Sequence, residues 1–214
     1  FDGGLETILR FTLMARDEGG FEAGQDWLHI LGISTPIWAV VLSAVQRGLR
    51  IHVNPALRVS YDSASPFQAA GHRQQVARYP RYTKDLRDWT IKAQTVPVNP
   101  QYANDETHFP FSSPVGELMT LAHLNVRGGD FQSKTFDTTS YALLANHNLY
   151  VYIRCLLEAN ELAFLRNSER HDFVPATLIE ACDFVEDLMG EQNWERRLKK
   201  EVGLLQRREF VNIG

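Results

Sequence analysis

Cysteine is scarce: Cys155 and Cys182 are the only two in 214 residues. Neither belongs to a Cys-x-x-Cys pair or to a Cys/His cluster with zinc spacing, so a cysteine-based zinc or redox motif is excluded. Both fall in apolar, helical-looking stretches, where a free thiol behaves as a small hydrophobe. A reducing, cytoplasmic setting is therefore expected. Long hydrophobic runs are also missing. The most apolar stretch, Thr35 to Val45, is about half the ~20 residues of a spanning helix and is broken by Ser43 and Gln46. The start, FDGGLETILRFT, has neither the basic n-region of a signal peptide nor an initiator Met, so further residues are expected upstream. Positive charge is not in excess: 22 basic residues face 26 acidic ones. Bulk electrostatics thus do not announce nucleic-acid binding. Repeats and low-complexity tracts are absent. What remains is an ordinary globular composition, 44% hydrophobic and 22% charged, which excludes global disorder. The length fits one large domain or two small ones, at roughly 100–200 residues each.

The charge is unevenly spread. Between His72 and Lys92 lie Arg73, Arg78, Arg81, Lys84, Arg87 and Lys92, against only Asp85 and Asp88. Tyr79, Tyr82 and Trp89 alternate with them. Cations that pair with phosphates, interleaved with rings that stack on bases, suit a nucleic-acid surface. The alternative is a solvated face whose aromatics anchor it to the core. A second basic stretch, Arg196 to Lys200 with Arg207 and Arg208, reads as an exposed amphipathic helix.

Residues 5–16 carry apolar positions at helical spacing (Leu5, Ile8, Leu9, Thr12, Leu13), and an acidic, Gly-rich loop follows at 17–26. WLHILGI at 27–33 is a nearly continuous apolar run, as for a strand buried on both faces. Ser34, Thr35 and Pro36 start an apolar helix over 36–47, with Gly48 expected as its C-cap. A second strand is expected at 57–62, so strand–helix–strand predicts parallel pairing and an α/β fold. Residues 63–115 suggest short strands or an insertion loop. Helices are expected at 115–125, 138–165, 175–189 and 191–208, the last capped by Asn193.

Three features carry candidate chemistry. Gly3-Gly4-Leu5 would let a ligand approach the backbone closely. Tyr61-Asp62-Ser63-Ala64-Ser65-Pro66 follows a strand end, where a parallel barrel keeps its catalytic groups. Asp62 is there either a nucleophile, base or metal ligand, or a side chain that caps the turn. Asn146-His147-Asn148 sits in an apolar helix, where a lone His is more often a hydrogen-bonded core residue than a ligand.

In this order the features resemble the tRNA-guanine transglycosylase superfamily, including its DNA-guanine transglycosylase branch. Gly3-Gly4-Leu5 resembles the family's Gly-Gly-Leu strand. His29-Ile30-Leu31-Gly32-Ile33-Ser34-Thr35-Pro36 resembles its His-Tyr-Leu-Met-Gly-Val-Gly-x-Pro strand and turn. Asp62 falls at the catalytic aspartate, and Leu143 to Asn148 resembles the segment with the zinc-ligating histidine. The resemblance is discontinuous and runs from Gly3 to about Ala163. The family's Cys-x-Cys-x-x-Cys zinc cluster has no counterpart between Asp62 and His147. No zinc or other cofactor is therefore expected, with His147 a structural remnant. His108, His123 and Asp130 have no ligand spacing to replace the cysteines. Ser63 and Ser65 stand where tRNA-acting members commonly have Cys and Thr, which leans the reading towards DNA.

The resemblance implies an α/β fold: the C-terminal portion of a TIM barrel with strands near 1–5, 27–33 and 57–62, then a mostly helical appended region. Residues 1–66 would hold these strands and Asp62, 67–113 an insertion with the basic-aromatic stretch, and 114–214 the helical region. A whole barrel takes about 250 residues, so the rest of it, with the family's second aspartate, would come from upstream residues or a partner chain. Asp2 is not placed to be that aspartate. The implied activity is exchange of guanine in nucleic acid for a 7-deazaguanine base, through a covalent glycosyl ester on Asp62. Gly3, Gly4 and Leu5 would meet the base edge. On charge alone, Arg73, Arg78, Arg81 and Lys84 are candidates for phosphates, and Tyr79 or Tyr82 for stacking. The rivals are a tRNA-acting enzyme, a non-catalytic nucleic-acid-positioning subunit, and an unrelated barrel hydrolase using Asp62 as base.

Overall fold

The computed structural model describes residues 4–22, 24–97, 99–125, 136–166, 170 and 172–205. The fold is mixed α/β and mainly helical, with two short two-stranded sheets and no closed barrel among the described residues. Among these residues no helix is long and apolar enough to cross a membrane. The chain divides into two compact units. The first takes Phe1–Ser63, Arg81–Thr90 and Leu156–Gly214; the second takes Ala64–Pro80 and Ile91–Cys155.

In the first unit, α1 (Gly4–Asp17) buries Leu5, Ile8, Leu9, Thr12 and Leu13, a stripe at helical spacing. This corrects the expectation of a strand near residues 1–5. Leu5 is the first member of the stripe, and burying it draws Gly4 and Leu5 into the helix; Gly3 lies outside the described residues. Strands β1 (Trp27–Ile30) and β2 (Arg58–Tyr61) pair in parallel, with Trp27 opposite Arg58 and His29 opposite Ser60. Helix α2 (Pro36–His52) connects them. Its start is as expected: Thr35 Oγ1 accepts the Trp38 N–H at 3.3 Å, and Pro36 occupies the first turn.

β1 is not buried on both faces. Leu28 and Ile30 pack with Val59 and Tyr61 beneath Trp38 and Leu42 of α2, whereas Trp27 is 67% exposed and His29 is exposed too. Side chains alternate along a strand, and α2 covers only one face of this pair. Gly48 is not a C-cap either, since α2 continues to His52. It lies where α6 (Ala176–Leu188) crosses: a Cβ there would stand 2.6 Å from the Glu186 carbonyl oxygen and 2.7 Å from Met189 Cγ. Glycine is needed for close helix approach. Leu178, Val185 and Leu188 of α6 join Val41, Val45 and Leu49 of α2 in one core. The final helix, α7 (Trp194–Leu205), ties back to α1 through Trp194 Nε1–H, which donates to Asp17 Oδ2 at 2.7 Å.

The second unit is built on α3 (Ser65–Arg73), the antiparallel pair β3 (Gln75–Arg78) and β4 (Lys92–Thr95), the single turn α4 (Leu121–Leu124), and α5 (Thr138–Ala163) as far as Cys155. The helix expected at 115–125 is a 3-10 turn at Gly116–Leu118 followed by α4. Its core joins Ala70, Val76, Val96, Phe109, Met119, Leu124 and Leu144.

Gly48→Ala is expected to lower stability by about 1–3 kcal/mol through overpacking, read as a lower Tm. Gly203→Ala in α7, where a Cβ meets nothing within 4 Å, is expected to leave Tm unchanged or raise it, because alanine restricts the unfolded chain.

Candidate active site

Asp62 is the residue after β2. Its backbone oxygen accepts the Ile33 N–H at 2.9 Å, and its Oδ1 accepts the Gly32 N–H at 3.3 Å. The turns leaving both parallel strands therefore meet at this residue. Gly32 has φ +80°, and a Cβ there would meet nothing within 4 Å. The glycine is required by backbone conformation, which turns its N–H towards the carboxylate.

The other carboxylate oxygen faces His29, with Oδ2 3.9 Å from Nε2. That separation is an electrostatic contact beyond hydrogen-bond range. His29 Nδ1 lies 2.8 Å from Ser60 Oγ, which accepts the Trp27 Nε1–H at 2.6 Å. Since Trp27 can only donate, the Ser60 hydroxyl proton is free to point at Nδ1. In the Nε2–H tautomer of His29, that proton faces Asp62. Trp27, His29 and Ser60 all stand on the sheet face that α2 leaves bare. The Asp62 side chain is 62% exposed and that of His29 43%. The cluster is thus an accessible carboxylate, with one oxygen on a backbone N–H and the other facing the His29 imidazole. Such a group can attack an electrophilic carbon or take up a proton. His29 and Ser60 carried no role in the sequence. The missing signal was register, because only the parallel pairing sets residue 29 opposite residue 60.

The other candidates fall in both units. Gly4 and Leu5 open α1, with Leu5 buried. Arg81, Tyr82 and Lys84 belong to the first unit; Arg73, Arg78 and Tyr79 belong to the second. The four cations and Tyr79 are exposed. Tyr82 is buried, its ring edge-on to Trp89 with centroids 4.9 Å apart, and Trp89 Nε1–H donates to the Thr83 carbonyl. These two rings anchor the segment to the core. Hydrogen bonds from Arg87 hold the Asp85 carboxyl at about 2, so this pair neutralises itself on the surface.

His147 and Asn148 are fully buried in the second unit. Asn148 Oδ1 accepts the Ala77 N–H at 2.7 Å, and its Nδ2 donates to the carbonyls of Gln75 and Pro66. His147 Nε2 donates to the Ala77 carbonyl at 3.2 Å, and Nδ1 lies 2.8 Å from Ser113 Oγ. The two side chains thus complete the outer edge of β3 in place of a third strand. His123 joins Thr120 in a capping box, His108 bridges to Thr120, and Asp130 lies outside the described residues. Among the described residues no three His, Cys, Asp or Glu side chains gather as metal ligands would. Comparisons with protein-family models, curated proteins and solved structures find no match.

Burial pushes the His147 pKa below its ordinary value, partly opposed by the bond to the Ala77 carbonyl. The unfolded chain therefore takes up this proton at a higher pH than the folded one. Stability is full above about pH 6.5 and falls as pH drops through the window beneath it. Thermal melts between pH 8 and pH 5 are expected to show this loss, and His147→Gln to flatten it.

Proposed function

We propose that this chain is the C-terminal portion of a guanine transglycosylase that acts on DNA in the cytoplasm, with Asp62 as its nucleophile. The observation that carries the reading is the Asp62 carboxylate at the carboxyl end of a parallel strand, hydrogen-bonded to the N–H of Gly32. Carboxyl ends of parallel strands are where α/β barrels keep catalytic groups, and Gly32 and Asp62 belong to the segments that resemble the family. The bare face of the β1–β2 pair suits further barrel strands, since parallel sheets are almost always covered on both faces.

In this mechanism the target nucleotide leaves its stack. Asp62 Oδ2 attacks the sugar C1′, the bond from C1′ to the base nitrogen breaks, and guanine departs with the electron pair and takes a proton. A carboxylate suits the oxocarbenium-like charge that develops at the sugar. The 7-deazaguanine then attacks C1′ through its ring nitrogen, loses that nitrogen's proton, and releases Asp62. His29 faces the carboxylate across 3.9 Å; the acid–base carboxyl group that serves the two bases is supplied from outside this chain. The solvent exposure of Asp62 favours a second reading, in which the chain is a non-catalytic subunit that positions nucleic acid.

The full-length protein, incubated with labelled guanine and either duplex DNA or tRNA, separates these readings. Label is expected in DNA, with Asp62→Asn lowering incorporation at least about 10³-fold. Label in tRNA alone would overturn the DNA assignment. Unchanged incorporation by Asp62→Asn would make the chain a positioning subunit.

A further inference from the structure

The second unit carries a cleft of about 220 Å³, which shares no residue with the Asp62 site and is lined by Val76, Gln94, Thr107, His108, Phe109 and Phe111 among others. Its size matters first: drug-sized ligands occupy about 300–1,000 Å³, so this cleft takes one small ring system. Val76 and Phe109 are buried, whereas Gln94, Thr107 and His108 are exposed. It therefore has an apolar floor and a polar rim. The Phe109 and Phe111 rings meet edge-on at 5.2 Å.

A cation, Arg78, stands beside two of the lining residues. The Arg78 guanidinium lies 5.5 Å from the Phe111 ring centroid and donates from Nη1 to Gln94 Oε1 at 3.2 Å. Two partners thus hold it beside the cleft. Lys92 stands directly opposite Arg78 across the β3–β4 ladder. Paired residues share a face of the sheet, and Val76 and Gln94, two positions along each strand, share it too. With its oxygen taken by Arg78, Gln94 offers its amide N–H groups, while Thr107 and His108 both donate and accept. A heteroaromatic ring with mixed hydrogen-bonding edges and an attached anion matches every part of this arrangement.

The geometry points to a nucleotide-binding subsite for single-stranded nucleic acid: one base enters the cleft beside Phe111, and its phosphate lies by Arg78 and Lys92 outside the cleft. This goes beyond base exchange at Asp62 and does not depend on it. Losing one base–ring stack weakens binding about tenfold, and each phosphate contact on a single strand contributes about 0.7 to the salt slope.

The test is fluorescence anisotropy of a labelled oligothymidylate with the full-length protein, across salt concentrations, with inorganic polyphosphate as competitor. Phe111→Leu, which keeps an apolar side chain but removes the ring, is expected to weaken binding about tenfold with the salt slope unchanged. Arg78→Ala is expected to weaken binding and reduce the slope by about 0.7. Gln94→Ala, an exposed position, serves as a second variant independent of the core and is expected to weaken binding. Near-UV circular dichroism establishes that each variant is folded. Wild-type affinity in both folded Phe111→Leu and Gln94→Ala would overturn the proposal, as would polyphosphate competing as well as the oligonucleotide. Oligothymidylate contains no guanine, so its binding reads this subsite and not base exchange at Asp62.

Discussion

Parallel pairing of β1 with β2 across α2 is the constraint from which the candidate site follows. Parallel strands cannot be joined by a tight turn, so the chain must cross over through α2 and return in register. That register sets His29 beside Ser60 and brings the two following turns together at Asp62. α2 has to serve two cores: Ile37, Val40, Val41 and Val45 face one, and Leu42 faces the other, against Ile30 and Ile33. A helix so fully enclosed leaves little room for its neighbours, which explains the glycine at position 48. The close crossing of α6 and the exposed carboxylate are therefore two consequences of one crossover.

The second unit solves a related problem with side chains. β3 has only β4 as a partner, and its other edge would leave backbone groups unpaired. Asn148 and His147, adjacent on α5, supply the missing bonds to Gln75 and Ala77. Ser113 holds the far nitrogen of His147 while accepting the Gly116 N–H. A His-Asn pair in an apolar helix suggests ligands when only types and spacing are visible. In the fold, these two side chains complete a sheet edge, as buried polar groups must find partners.

Local signals were the legible ones. The Thr35-Pro36 start of α2, the strand–helix–strand order, and the long apolar helices α5 and α6 are all written in short-range periodicity or capping chemistry, whereas Tyr82, a stacking candidate by charge pattern, is buried against Trp89 instead. Less was legible where the outcome depended on partners far along the chain. Gly4 and Leu5 suit a strand by motif, yet Leu5 completes the buried stripe of α1. α3 has too short and too polar a sequence to stand out, with only Pro66 and Ala70 buried. The exposure of Trp27 and His29 depends on what covers the second sheet face, a tertiary matter. Asp62 was visible as a residue after a strand, but its contacts with Gly32 and His29 belong to strand pairing and could not be read from either segment alone.

The central claim is that Asp62 forms a bond to a nucleotide sugar. It is tested most directly by mass spectrometry of the full-length protein, quenched in acid during turnover on guanine-containing DNA and digested to peptides. The account predicts a nucleotide ester on the peptide that contains Asp62, discharged when free base is added before the quench. An adduct on a different residue, or exchange that proceeds while the Asp62 peptide stays unmodified, would contradict it.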